Sequence, residues 1–352
     1  MTVGKDCSTD LIPMFQPSLL AKQPAKPWSA ALRGLGILAV SGAGVLLLQG
    51  PVLYSSAAQA QAANKTVRIG FQKSGTVLLS LKAKRILEDA LKPSGFSVQW
   101  SEFPAGLPMV EALNAGAIDV AYVGEAPPIF AQAANGSISR YVAYDPYGPR
   151  AEGILVGSKS AITRLGDLKG KKIAVQKGSN SHYLLVKALR SANLSPSQVQ
   201  IIFLKPSDAR VAFERGDVDA WSVWDPYLAA AESKAGARLL TDARGLAPNL
   251  GYYLASAPFV KTQPATLRKL LEGIRNEAKV VSANPKATAA FLAPSLGVDV
   301  AVLTKAEQRR KHDVLPISDA VIAKQQDVAD TFSELGLIPR PIRVKEAVWR
   351  WN

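Results

Sequence analysis

Short apolar runs recur along the middle of the chain, and each gives way, after a cluster of Gly, Ser, Asn or Pro, to apolar positions spaced three and four apart. Runs of the first kind read as buried strands and the spaced positions as helices buried along one face. Val67–Phe71 predicts a first strand and Val77–Leu91 a helix after it. Ser97–Phe103 predicts a second strand, Leu107–Ala115 a helix stopped by Gly116, and Ile118–Val123 a buried strand before a helix that starts at Pro127. Tyr144-Asp145-Pro146-Tyr147-Gly148-Pro149 is a turn-rich link, with the crossing into a second lobe expected at Gly153–Val156. The pattern resumes with strands at Lys171–Val175, Val199–Leu204 and Ala220–Val223, the last followed by a helix from Pro226. Tyr252–Ala255 reads as a strand returning to the first lobe. From Pro264 onward the chain is mainly amphipathic helix, with Leu267, Leu270, Leu271 and Ile274 on one face.

The pattern repeats in detail. Phe71-Gln72-Lys73-Ser74-Gly75-Thr76 is echoed 104 residues later by Val175-Gln176-Lys177-Gly178-Ser179. At an offset of 100, Asn114 to Pro127 aligns with Glu214 to Tyr227, so that Gly116-Ala117-Ile118-Asp119 matches Gly216-Asp217-Val218-Asp219. Both members read as helix, Gly stop, strand and an acidic residue before a new helix. Two similar α/β units therefore share the chain, each with two strand-to-helix junctions. Facing lobes with helix N-termini in the gap make a cleft for a small molecule, and such termini carry unsatisfied N–H donors and partial positive charge.

Composition narrows the ligand less than the pattern does. The 352 residues suggest about two domains, and 48% hydrophobic with 20% charged residues is ordinary for a globular protein. The formal charge of +14 is scattered, Arg309-Arg310-Lys311 being the densest cluster, and no nucleic-acid-binding motif accompanies it. A generally basic surface is the better reading. Cys7 lies outside both units, which leaves the folded part without disulfide, cysteine nucleophile or cysteine metal ligand. Two histidines, His182 and His312, argue against a multi-histidine zinc site, so neither metal nor cofactor is expected.

Lys22, Lys26 and Arg33 precede an apolar stretch from Gly34 to Leu48, and small residues with overlapping A-x-A sites follow at Ser55–Ala63. That order is the one of a secretory signal peptide, with an n-region longer than usual. Residues 1–62 are expected to be removed on export to the periplasm, taking four basic and two acidic residues and leaving +12.

Several stretches together carry a family resemblance: Phe103-Pro104-Ala105-Gly106, Gly124-Glu125-Ala126-Pro127-Pro128-Ile129-Phe130, Gln176-Lys177-Gly178-Ser179-Asn180-Ser181-His182, and Trp224-Asp225-Pro226-Tyr227. Over residues 66–350 the chain resembles the periplasmic aliphatic-sulfonate-binding proteins of ABC importers. The resemblance implies an α/β, two-lobed periplasmic-binding-protein fold of type II with two crossover strands. Residues 63–152 and 253–352 would form one lobe and 153–252 the other. It also implies capture of a sulfonate for a membrane permease; taurine-, nitrate- and thiamine-pyrimidine-binding relatives share the fold. A monomer is expected, with no nucleic-acid partner.

A sulfonate needs hydrogen-bond donors and an apolar wall. Ser74, Gly75 and Thr76 on one lobe, with Ser179, Asn180, Ser181 and His182 on the other, supply hydroxyl and backbone donors, although ordinary helix caps have the same composition. Gln72 and Gln176 flank the gap, and Gly124 with Glu125 opens the Pro-started helix of the first unit. Glu125 and Asp225 would repel the anion directly, so they are expected to orient loop N–H groups or to meet a polar tail. Trp224 would wall the tail, and His182, in a first helical turn, is expected to be neutral. Hydrolysis by Ser179 or Ser181 with His182 is disfavoured, because neighbours in one helical turn rarely make a nucleophile–base pair and no G-x-S-x-G elbow is present. A ligand-sensing regulator would need a DNA-binding segment, which the leader does not resemble.

Overall fold

The computed structural model describes residues 65–350, so the leader and its cleavage sites lie outside the described residues. Among the described residues ten strands follow in chain order: β1 Lys65–Phe71, β2 Phe96–Glu102, β3 Val120–Gly124, β4 Ser139–Asp145, β5 Glu152–Val156, β6 Lys172–Val175, β7 Gln200–Phe203, β8 Ala220–Trp224, β9 Arg238–Asp242 and β10 Gly251–Ser256. They form two five-stranded sheets, ordered β2-β1-β3-β10-β4 and β7-β6-β8-β5-β9. In the first sheet β1 runs parallel to β2 and β3, and β10 is antiparallel to both β3 and β4. The second repeats this with β6 parallel to β7 and β8, and β5 antiparallel to β8 and β9.

The register makes the repeat physical. Ile69 pairs with Val120 and Gly70 with Ala121; at the same offsets, Ile173 pairs with Ala220 and Ala174 with Trp221. Asp119 Oδ2 accepts the Arg68 N–H at 2.8 Å, and Asp219 Oδ2 accepts the Lys172 N–H at 2.8 Å. Each Gly-x-x-Asp step thus follows a helix end and ties its Asp to a backbone N–H of the neighbouring strand, midway along β1 at Arg68 and at the first residue of β6 at Lys172.

The chain crosses between sheets twice, between Asp145 and Glu152 and between Asp242 and Gly251. The segments expected to be the crossings, Gly153–Val156 and Tyr252–Ala255, lie in β5 and β10, the first strand after each crossing. Both are fully buried, as strands flanked on two sides must be. Two strands escaped the apolar pattern. In β4 and β9 polar side chains interrupt the run, and both lie at sheet edges, where charged side chains are tolerated. The single helix expected over Val77–Leu91 is two, Thr76–Lys84 and Ile86–Leu91, because Arg85 adopts a left-handed conformation at φ 57°.

Leu267, Leu270, Leu271 and Ile274 of the helix Pro264–Ala283 are fully buried with Leu78, Leu81 and Leu87 against the first sheet. At about 1.5–3 kcal/mol each, four such side chains are a substantial part of that lobe's core. Later helices reach the other lobe. Asp319–Glu334 lies beside the helix Asn180–Ser191, where Asp327 accepts from Tyr183 Oη at 2.6 Å. Val300–Glu307 lies against Tyr227–Lys234 through Val302, Ala306 and Ala229.

Candidate functional site

A cleft with about 450 Å³ of atom-free space, partly open to solvent, lies where the two sheets and both crossings meet. Six of the expected residues line it: Gln72, Ser74 and Gly124 from the first lobe, and Ser179, Asn180 and Trp224 from the second. Gly106, Tyr122, Pro127, Tyr147, Asn249, Leu250 and Gly251 line it as well, and the sequence pattern did not single these out as site residues. Four of the seven belong to or adjoin the crossings, where Tyr147 (φ 35°) and Asn249 (φ 49°) hold left-handed backbone. The turn signals at Pro146-Tyr147-Gly148 and Pro248-Asn249 mark the places but carry no hint of a ligand.

The first-lobe loop ends in a helix with an open N-terminus. Gly75 is the N-cap of Thr76–Lys84, so no side chain claims the first-turn N–H groups beside Ser74. Thr76 turns the other way: its Oγ1 donates to Glu307 Oε1 at 2.8 Å and accepts from Arg310 Nη1 at 3.1 Å. Arg310 is completely buried, donates to Glu307 at 2.8 Å and lies 4.9 Å from the Tyr147 ring centroid, behind the cleft wall. Burial would raise the Glu307 carboxyl, but Arg310 and His312 outweigh it and hold it at about 2. Burial would lower His312, and its bonds to Asp145 and Glu307 reverse this, lifting it to about 9. Asp145 also accepts from Tyr122 Oη at 2.8 Å, which fixes that ring in the cleft wall.

The second-lobe loop is closed upon itself. Ser179 accepts the His182 N–H at 3.1 Å, and its hydroxyl donates to Gln176 O at 2.7 Å. Ser181 is fully buried and donates to Glu152 Oε2 at 3.3 Å. His182 lies behind the helix against Phe203 and Phe332, and its Nδ1 accepts from the Gly178 N–H at 3.4 Å. Burial, with help from Lys177, depresses it to about 4, so it is neutral near pH 7. No hydroxyl of the loop is directed at this imidazole. The Gln176 side chain donates to the Lys177 carbonyl at 3.3 Å, and the residue is not part of the cleft lining.

Asn180 spans the lobes. Its Oδ1 accepts the Ala126 N–H at 3.2 Å, and its Nδ2 donates to Asn249 Oδ1 at 2.9 Å. Gly124 makes room for it, since a Cβ there would collide with the Asn180 amide. The helix Ala126–Ala133 is a poor anion site: Pro127 and Pro128 have no N–H, and Asn180 takes the one on Ala126.

Neither acidic residue of the repeat lines the cleft. Glu125 Oε2 accepts the Leu250 N–H at 3.0 Å and so positions the second crossing. Burial raises this carboxyl to about 8, against the Leu250 and Asn249 N–H groups that would lower it. Burial and the neighbouring Glu125 also raise Glu152, and the Oε1 atoms of both carboxyls have no hydrogen-bond partner. Asp225 Oδ1 accepts the Ala229 N–H at 2.9 Å and caps its helix. Burial raises it to about 6, opposed by Arg310 and Arg309.

This architecture has solved counterparts. The alkanesulfonate-binding protein SsuA from Xanthomonas axonopodis pv. citri, solved bound to MOPS, matches with a TM-score of 0.77 at 38% identity, over 81% of this chain and 98% of that one. The periplasmic aliphatic sulphonate binding protein SsuA from Escherichia coli matches at 0.75 and 38%, over 82% of this chain and 93% of that one. A family model described as NMT1/THI5 like covers residues 92–288. This chain belongs to the family of aliphatic-sulfonate-binding proteins. Its two sheets and paired crossings are therefore the two-lobed periplasmic-binding-protein fold. More distantly, the taurine-binding periplasmic protein of Escherichia coli (strain K12) is 30% identical over 231 residues, 64% of this chain and 69% of that protein. Within this family the cleft described above, with one uncapped helix end and an aromatic wall, is the candidate binding site.

Proposed function

We propose that the chain is an exported binding protein that captures an aliphatic sulfonate in the interlobe cleft and delivers it, as a monomer, to the permease of an ABC importer. The observation that carries this is the open helix end at Gly75 beside Ser74, facing an apolar wall that includes Trp224 and Tyr122. A sulfonate has three acceptor oxygens and no proton to give, which suits N–H donors, and its tail suits the rings. The MOPS bound by the Xanthomonas relative is itself a sulfonate. Residues 1–62 are proposed as the leader that takes the protein to the periplasm.

Thermal shift on the protein recovered from the periplasm tests the reading. Ethanesulfonate and butanesulfonate should raise the melting temperature more than sulfate or nitrate, because neither inorganic anion has an apolar tail to cover the Trp224 and Tyr122 rings. At a hundred times Kd the stabilisation is about 2.7 kcal/mol. A larger shift with sulfate or nitrate than with either sulfonate overturns it, and a larger shift with taurine moves the assignment to the amino-sulfonates. The intact mass of the same preparation should place the N-terminus between Ala58 and Lys65.

A further inference from the structure

Beside the cleft, and sharing Gln72, Ser74 and Trp224 with it, a second recess of about 200 Å³ opens between the lobes. Phe103 and Pro104, just after β2, form its first-lobe side. Trp224 and Tyr227 form its second-lobe side, meeting edge to face with ring centroids 6.3 Å apart and planes at 89°. Phe103, Trp224 and Tyr227 are all partly exposed, although each is large enough to anchor a core. Rings left half-open around a concave slot are apolar surface that a ligand can cover. At the rim Lys73 and Glu102 are exposed, and their opposite charges favour neither a cationic nor an anionic tail.

A two-carbon tail held by its sulfonate at Ser74 would cover little of this slot. A ring would touch Phe103 on one lobe and Trp224 and Tyr227 on the other, adding offset or edge-to-face contacts to simple area burial. We infer that the recess is the tail compartment of the cleft and that it selects sulfonates bearing a neutral aromatic ring over short alkanesulfonates. The inference rests on the sulfonate reading above and goes beyond it in naming the tail.

Titration calorimetry of the purified protein with ethanesulfonate and 2-phenylethanesulfonate tests it. The phenyl compound should bind roughly tenfold tighter or more, the scale of one well-packed ring. Phe103→Ala and Tyr227→Ala, made singly and together, should shrink that ratio, and the double variant should bring it to within about threefold. Both rings are partly exposed, so either single variant keeps the test open if the double variant folds poorly. A ratio near one in the unaltered protein, or a ratio that both single variants leave intact, overturns the inference while leaving the sulfonate assignment standing. Failure of both compounds to bind removes the assignment and the inference together.

Discussion

The two repeat units begin from nearly the same sequence and finish with opposite chemistry at their helix ends. Gln72-Lys73-Ser74-Gly75 leads into a helix that no side chain caps, whereas Gln176-Lys177-Gly178-Ser179 leads into one that Ser179 caps. The difference is a one-place shift of Gly and Ser: the first loop puts Ser before Gly, and the second puts Gly before Ser. The first unit keeps its donors open, and the second uses its own on itself and sends Asn180 across the gap instead. Their acidic partners diverge as well. Glu125 faces another carboxyl and has no cation beside it, while Asp225 lies near Arg309 and Arg310. Repetition supplies the scaffold, and single substitutions within it decide which half leaves its helix end open and which half joins the lobes.

The sharpest way to separate the units is pH. Glu125 is raised from 4.5 to about 8 and Asp225 from 3.8 to about 6. For each, the folded state holds the proton more tightly than the unfolded chain. Each contribution is therefore complete below the unfolded pKa and lost as pH rises through the folded one. Glu125 costs stability from about pH 4.5 up to about pH 8, on the order of 3–5 kcal/mol in all, and Asp225 stops costing more above about pH 6. Chemical denaturation of Glu125→Gln should show a gain over the parent protein that grows up to about pH 8. The gain from Asp225→Asn should level off near pH 6. Parallel curves for the two variants would mean that the two carboxyls sit in equivalent surroundings after all.

Gly124 and Trp224 occupy matching places in the repeat, and exchanging size at the first breaks the interlobe contact. In Gly124→Ala the new Cβ collides with the Asn180 side chain. That amide is held by Ala126, Asn249 and Leu250, so it cannot simply turn aside. Overpacking of this kind costs about 1–3 kcal/mol. The melting temperature should fall, and small-angle scattering should show a more open average shape. An unchanged radius would mean that Asn180 does not hold the lobes together.

The sequence made the architecture legible for a physical reason. Asp119 and Asp219 each accept a backbone N–H of the neighbouring strand, and those strands pair at the offsets of 104 and 100 that the letters already display. Buried parallel strands announce themselves because both faces must be apolar. β4 and β9 stayed hidden because polar residues such as Arg140 and Thr241 interrupt their apolar runs, although five of the seven β4 residues are buried. The site was legible only in part. Ser74, Ser179 and Asn180 reached the cleft because strand-to-helix junctions had to face the gap. Whether a hydroxyl points at a ligand or at its own backbone depends on rotamer and packing. Thr76 therefore went to Arg310 and Glu307, and Ser181 went to Glu152. Tyr122, Tyr147 and Asn249 are brought in by contacts more than twenty residues apart, such as Tyr122 with Asp145 and Asn249 with Asn180, which no local pattern records.

The capping difference itself can be reversed, and the expected effects are the smallest. Ser179→Ala removes the hydrogen bond to the His182 N–H and should cost about 1 kcal/mol of stability, the usual value of such a cap. Gly75→Ser adds a cap where none exists. The backbone there has φ −85°, and a Cβ would lie 3.2 Å from Gln72 O and 3.6 Å from the Tyr122 ring, so a small adjustment admits it. Because serine and glycine differ at an N-cap by only a few tenths of a kcal/mol, its stability should barely rise. Its binding should suffer more than its folding gains. The new hydroxyl claims a first-turn N–H that the sulfonate would otherwise use, and losing a hydrogen bond to a charged group weakens affinity roughly tenfold. The two variants therefore move different readouts, the melting temperature for Ser179→Ala and the Kd for Gly75→Ser. If Ser179→Ala instead weakens sulfonate binding while Gly75→Ser leaves it intact, the anion rests on the second-lobe loop, and the open helix end at Gly75 has no part in holding it.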